Sequence, residues 1–371
     1  MEASWPEGSA KSKRQTRRAG CWKFLSLVLL QVLISMMVVV YIRNCVKADP
    51  SASEPSPLLE QPRKGSCAPA RRPPEITILL WTWPFKKSSP LPKCGRVLGF
   101  PDCRFTLNRS WYPRADVVII HHRDVYHSPM LLPKGPRPPS QRWVWLNLES
   151  PYNSYNLHFM DNLFNLTMTY RRDSDIFSPY GWLEVLQKPR QVIVPPKSKL
   201  VAWVISNWKP NLRRTKYYQV LRQHVHVDVY GHGHMPLPKE QHYATLSQYK
   251  FYLAFENSIH EDYITEKLWK NALAAETVPV VLGPPRSNYE RYLPPDAFIH
   301  VDDFPTPQQL ADFLHRLDRD PIQYQRYFQW RSQLKPFAFL SWHIHYCKAC
   351  WALQSRPTQY QTVRKLSMWF R

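Results

Sequence analysis

Residues 251–283, FYLAFENSIHEDYITEKLWKNALAAETVPVVLG, gather Glu256, Asn257, Asp262, Tyr263, Glu266 and Lys267 into one short stretch between two apolar runs. The pattern predicts strand, loop, helix, strand. Asp262 stands where a side chain caps a helix over 263–275, and Gly283-Pro-Pro closes the second strand. Asn257 then lies at a strand's carboxyl end and Tyr263 at a helix's amino end, where unpaired backbone N–H groups and the positive end of the helix dipole suit a phosphate. Lys267, four positions beyond Tyr263, is expected on the same helix face. The same charges on an arbitrary βαβ unit would be solvated helix residues, with Tyr263 packed on the sheet.

A second candidate is Glu149, at the end of the run 143–148, WVWLNL. A carboxylate at a strand end can take a proton from an attacking hydroxyl. Asp173-Ser-Asp175 has the D-x-D form that carries a divalent ion in some sugar transferases. A D-x-D is common by chance and carries little weight alone, and His121-His122 has no third ligand at a telling spacing, so neither pair defines a metal site.

The elements that must position these side chains are short apolar runs at 76–81, 116–121, 143–148, 200–206, 225–230, 251–255, 278–282 and 298–301. Several precede helix-compatible stretches, the alternation of parallel α/β sheets. The proline-rich segment 188–199 interrupts it. The sequence therefore predicts two doubly wound domains, 75–195 and 196–371, facing a cleft lined by loops from the carboxyl ends of their strands.

Residues 24–42 run without a charge and have the length of a membrane span. Lys11, Lys13, Arg14, Arg17, Arg18 and Lys23 precede them, against Arg43 and Lys47 after, which places the tail 1–23 in the cytosol and all that follows 43 in a lumen. Residues 43–74, rich in proline, read as a stem. Asn108-Arg-Ser and Asn165-Leu-Thr are glycosylation acceptors on that side. The net charge is +22, and 75–371 stays basic. No zinc-finger or helix-turn-helix pattern accompanies the charge, so nucleic acid is excluded in favour of an anionic small molecule or glycan.

Cys94, Cys103, Cys347 and Cys350 lie in the folded part and predict two disulfides. A Cys347–Cys350 bridge would have the tight spacing of redox-active pairs, which favours both reaching back to Cys94 and Cys103. The three pairings stay open.

The stretch 251–283, extended by 284–304, PPRSNYERYLPPDAFIHVDDF, resembles the donor-binding signature of the α-1,3/4-fucosyltransferases, the vertebrate Lewis-type members above all. The resemblance covers about 75–371 and includes WVWLNLESP at 143–151, YRRDSD at 170–175 and CKACW at 347–351. It implies two Rossmann-like halves of the GT-B type, with GDP-fucose on the second and a lactosamine-type acceptor on the first. It implies an inverting reaction in which Glu149 matches the family's base, while Asn207, Arg214, Asn257, Tyr263, Glu266 and Lys267 match its donor-binding residues. Arg213, beside Arg214, leaves that register open. By the same resemblance Arg123 marks α-1,3 transfer, no metal cofactor is required, a divalent cation is at most stimulatory, and the location is the Golgi membrane. A silent lectin on the same fold and a metal-dependent transferase using Asp173 and Asp175 are the competing readings.

Overall fold

The computed structural model describes residues 75–371 except 88, 89, 100, 339, 340 and 356–359. The expected tail, span at 24–42 and stem lie outside the described residues. No helix among the described residues is long and apolar enough to cross a membrane.

The apolar runs form two parallel sheets. In the first, β1 (Thr77–Leu80), β2 (Arg104–Thr106), β3 (Val117–His121), β4 (Arg142–Asn147), β5 (Leu166–Thr169) and β6 (Ile176–Phe177) lie in the order β2-β1-β3-β4-β5-β6. In the second, β8 (Lys199–Val204), β9 (Asp228–Tyr230), β10 (Tyr249–Phe255), β11 (Val278–Leu282) and β12 (Ile299–His300) lie in the order β12-β11-β10-β8-β9. β1, β3 and β11 are buried along their whole length, as strands covered on both faces must be. β7 (Gly181–Val185) and β13 (Leu334–Ala338) pair antiparallel as a separate ladder. Of the strands that sequence patterning overlooks, β2, β5 and β6 span only two to four residues, and β7 and β13 have their apolar runs broken by Glu184 and by Lys335-Pro336.

Each sheet has a core on both faces. Val201, Trp203, Phe251, Leu253 and Val280 meet Tyr218 and Leu221 of the helix Arg213–Leu221 and Leu310, Leu314 and Leu317 of the helix Pro307–Arg319. The latter begins at Thr306, whose side chain accepts from Gln309 N, and Pro307 takes its first position. On the opposite face Tyr252, Ala254 and Val281 meet Leu268, Trp269, Ala272 and Leu273.

The sequence assigns 342–371 to the second half; the structure returns them to the first. The helix Trp342–Ser355 places Tyr346, Cys347, Ala349, Cys350 and Leu353 in one cluster with Ile78, Val117 and Val144. Leu366 and Phe370 fill the other face of the same sheet with Trp145. The disulfides are Cys94–Cys347 and Cys103–Cys350, with Cα–Cα distances of 5.2 and 5.9 Å. Tyr346, Ala349 and Leu353 beside the cysteines explain the return: the buried face of this helix fills the core of the first sheet.

Candidate functional site

In both sheets the chain steps from the first strand to an outer neighbour, then returns past the first and continues the other way. The crevice of such a sheet opens at the strands' carboxyl ends where direction reverses: between β1 and β3 in the first, between β8 and β10 in the second. Asn207 and Arg214 follow β8, and Asn257 follows β10. At the rim only glycine fits at 231: its φ is +120°, and a Cβ there would collide with the carbonyl oxygen of Ile205, just past the end of β8.

Arg214 is 3% exposed. Its Nη2 donates to Asn207 O at 2.6 Å, while its Nε has no partner. Burial depresses its pKa, opposed by Glu256, Tyr263 and Glu266 nearby. Thr215 Oγ1, Tyr217 Oη and Asn257 Oδ1 are likewise buried without a hydrogen-bond partner. Each such group costs about 1–3 kcal/mol unless something polar reaches it. Of these, Arg214 and Asn257 follow the two strands that flank the crevice, and a buried guanidinium beside an unmet acceptor suits an anionic ligand that also carries hydroxyls. Arg213 instead points outward and pairs with Asp302 at 2.5 Å, so Arg214 is the arginine of the crevice.

Glu256, one residue past β10 and 2% exposed, accepts from Thr265 N at 2.8 Å, from Thr265 Oγ1 at 2.9 Å and from Lys267 Nζ at 3.0 Å. Gly283 makes room for it: a Cβ there would lie 3.2 Å from Glu256 Cγ and collide with the Tyr289 hydroxyl. Burial raises the Glu256 pKa against the pull of Lys267. Burial alone would lower the Lys267 pKa, but Glu256 and Glu266 outweigh it and hold the ammonium charged. Lys267 also reaches Thr265 Oγ1 at 2.8 Å and Glu266 Oε1 at 3.4 Å. Glu266 itself is half-exposed.

The helix differs from expectation. It occupies Lys267–Leu273 in π geometry, and 263–265 are not helical. Asp262 caps nothing. It sits at φ +61°, and its buried carboxylate accepts from Arg172 N at 2.9 Å, Asn288 Nδ2 at 2.9 Å and Tyr292 Oη at 2.6 Å. Three distant donors outweigh the local capping preference. Tyr263 therefore sits on a loop rather than one turn before Lys267. It is 2% exposed, edge-on to Tyr170 at 5.1 Å and to Tyr180 at 6.5 Å. Burial, then Glu256, Glu149 and Glu266, push its phenol far above the usual value, so carboxylates of both halves converge around one ring.

Glu149 lies two residues beyond β4 and is 23% exposed. Its N–H donates to Asn147 Oδ1 at 3.2 Å, and its Oε1 accepts from Arg123 Nη1 at 2.8 Å. The Arg123 guanidinium lies 5.2 Å from the Phe85 ring centroid. The next residue, Ser150, reaches across to the second half, its Oγ donating to Ser258 Oγ at 2.9 Å. Glu149 and Asn257, each one residue from that bond, are thus brought together. Sequence reasoning misses Ser150, Ser258, Tyr170, Thr215 and Tyr217, although the two serines adjoin residues already singled out.

Other candidates are committed elsewhere. Asp173 pairs with Arg171 at 2.7 Å, and Asp175 accepts from Thr167 N and Oγ1. His121 Nδ1 lies 2.7 Å from Asp124. His122 is buried and accepts from Trp145 Nε1 at 3.3 Å, and burial lowers its pKa to about 4. Asn108 is exposed. Asn165 is not the surface acceptor the sequence predicts: it is 1% exposed, and the nitrogen that would carry a sugar donates to Gln361 O at 2.7 Å. Its tripeptide is local, while its burial comes from a segment far along the chain.

Residues 73–181 match the family model described as fucosyltransferase, N-terminal, and 194–369 match glycosyltransferase family 10 (fucosyltransferase), C-terminal. The 4-galactosyl-N-acetylglucosaminide 3-alpha-L-fucosyltransferase FUT5 of Homo sapiens is 50% identical over 98% of this chain and 99% of its own. The 3-galactosyl-N-acetylglucosaminide 4-alpha-L-fucosyltransferase FUT3 of Homo sapiens matches at the same identity and coverage. A solved alpha1,3-fucosyltransferase with GDP-fucose shares the fold, with a TM-score of 0.51 and 19% identity over 80% of this chain and 95% of that one.

Proposed function

The chain belongs to glycosyltransferase family 10, the fucosyltransferases, and from that premise we propose that it moves L-fucose from GDP-fucose to the 3-hydroxyl of N-acetylglucosamine in type 2 lactosamine chains, with inversion. The observation that carries this reading is the meeting of Glu149, from the first sheet, with the cationic crevice of Arg214, Asn257 and Lys267 on the second, joined through Ser150 and Ser258.

In this reading the two halves form a GT-B arrangement, with acceptor on the first and donor on the second. Glu149 takes the proton of the acceptor hydroxyl as its oxygen attacks C1 of fucose, and GDP departs from the opposite face. Negative charge growing on the diphosphate is met by Arg214 and Lys267, fixed cations in a site of low polarisability, so the chemistry does not require a metal. Asn207 accepts Arg214 through its carbonyl and so aims the guanidinium. Asn257 and Glu266 are assigned to the sugar and ribose hydroxyls. Tyr263 packs the wall between the halves and presents its hydroxyl to the donor. Glu256 is too enclosed, and too fully engaged by Thr265 and Lys267, to serve as the base.

Arg123 supports α-1,3 over α-1,4 linkage by its resemblance to the strict α-1,3 members. The charge-free run 24–42, with its basic flank, supports a single-pass type II anchor in the Golgi membrane, the catalytic part luminal and Asn108 open to glycosylation.

The test is to offer the enzyme GDP-fucose, GDP-mannose, UDP-galactose and UDP-N-acetylglucosamine with Galβ1-4GlcNAc and Galβ1-3GlcNAc, and to determine the product linkage. The reading requires fucose in α-1,3 linkage on the former acceptor. Transfer from a UDP-sugar, abolished by a chelator, would return the assignment to Asp173 and Asp175.

A further inference from the structure

The two loops assigned to base and donor are locked to each other by a directed hydrogen-bond chain. Asn153 Nδ2 donates to Ser150 Oγ at 3.2 Å, and Ser150 Oγ donates to Ser258 Oγ at 2.9 Å. The Glu149 loop is fixed on its other side as well: Asn147 Nδ2 donates to Ser154 Oγ at 2.8 Å, and Ser154 Oγ donates to Ser150 O at 2.9 Å. Asn147 and Ser150 are 0% exposed and Ser258 is 9% exposed, so water does not compete for these bonds. The donor loop is pinned to the first half a second time, where Asp262 accepts from Arg172 N. Its position is therefore set from the acceptor half at two points.

We infer that Ser150 and Ser258 are a pair of positioning residues that set the separation of the base from the donor. Neither serine transfers a proton in the reaction. Ser150 immediately follows Glu149 and Ser258 immediately follows Asn257, so any slip between the loops moves the carboxylate relative to the bound sugar. Displacements of about 1 Å in a reacting pair cost up to roughly 100-fold in rate. A loop held only by packing would permit such a slip; a buried hydroxyl pair does not.

The inference rests on the assignment of Glu149 as the base. The experiment is a double-mutant cycle in the full-length enzyme with Ser150→Ala, Ser258→Ala and the double variant, and with Ser258→Thr, which keeps the hydroxyl. The quantities read are kcat, KM for each substrate, GDP affinity and Tm. Each alanine variant is expected to lower kcat about 5- to 20-fold while KM for GDP-fucose and GDP affinity stay within about 2-fold. The double variant should be no slower than the slower single one, and Ser258→Thr should keep most of the activity. Losses that multiply in the double variant, kcat values that do not fall, or losses that follow Tm and GDP affinity would each overturn the pairing. Glu149→Gln separates the two claims: retained turnover there removes the base assignment, while the cycle still reports whether the loops act as one unit.

Discussion

Arg123 Nη1 stands 2.8 Å from Glu149 Oε1, so the side chain that resembles the family's linkage determinant holds the side chain that resembles its base. The pair is partly open to solvent, with Arg123 49% and Glu149 23% exposed, so it contributes no more than about 1 kcal/mol to folding. Arg123→Trp should accordingly leave Tm nearly unchanged. Turnover with Galβ1-4GlcNAc should fall and the ratio of activity on Galβ1-3GlcNAc should rise. An unchanged ratio in a side-by-side kinetic comparison would remove Arg123 from acceptor choice.

Glu149→Gln keeps the shape of the loop and its backbone bond to Asn147 but cannot accept a proton. kcat should drop by about 100- to 10,000-fold, the usual range for a general base. Calorimetric titration with GDP should give the wild-type affinity, because no donor-binding side chain is touched.

Lys267 faces a carboxylate whose side chain is 1% exposed. Lys267→Ala removes the cation paired with buried Glu256 and leaves it the Thr265 donors; loss of one partner of a buried pair typically costs about 3–5 kcal/mol. Both Tm and GDP affinity should fall. Adding Glu256→Gln should restore much of the Tm and none of the GDP affinity, which separates structural pairing from phosphate binding. Equal recovery of both would show that the lysine acts through Glu256 alone.

His122 is neutral in the native protein down to about pH 4, whereas an unfolded histidine takes its proton near 6.5. A base whose folded pKa is depressed contributes its stability fully above pH 6.5 and loses it as pH falls toward 4. The loss amounts to roughly 3 kcal/mol. Buried His345, also held well below its ordinary value, acts in the same sense. Urea midpoints should decline between pH 7 and pH 4.5, and His122→Gln should make that decline shallower. A slope that does not change would mean that His122 is protonated in the native state.

The two disulfides join the same pair of segments, Cys94 and Cys103 with Cys347 and Cys350. Either bridge alone closes nearly the whole loop, so removing one should cost little and removing both roughly 2–5 kcal/mol. Thermal denaturation of Cys94→Ala/Cys347→Ala, Cys103→Ala/Cys350→Ala and the fourfold variant checks this. Additive losses would contradict the shared loop.

The central strands and the crevice were legible because long apolar runs and strand-end polar residues are local signals: β3, β4, β8, β10 and β11 could be read directly. The start of the helix at Lys267 could not, since Asp262 is turned out of its capping role by Arg172, Asn288 and Tyr292, which lie 26 to 90 residues away. Burial of Asn165 under Gln361 is concealed for the same reason. Of the return of residues 342–371 to the first sheet, only the cysteine spacing gave notice.

That return also orders the birth of the molecule. Residues 199–338 supply every strand of the second sheet in one continuous stretch, so this half can assemble while translation is still under way. The first half waits: one face of its sheet lacks Leu366 and Phe370, and its cystines lack their partners, until residues 347–370 have been made. Of the two sheets, the one whose strands are made first is the second to become solid.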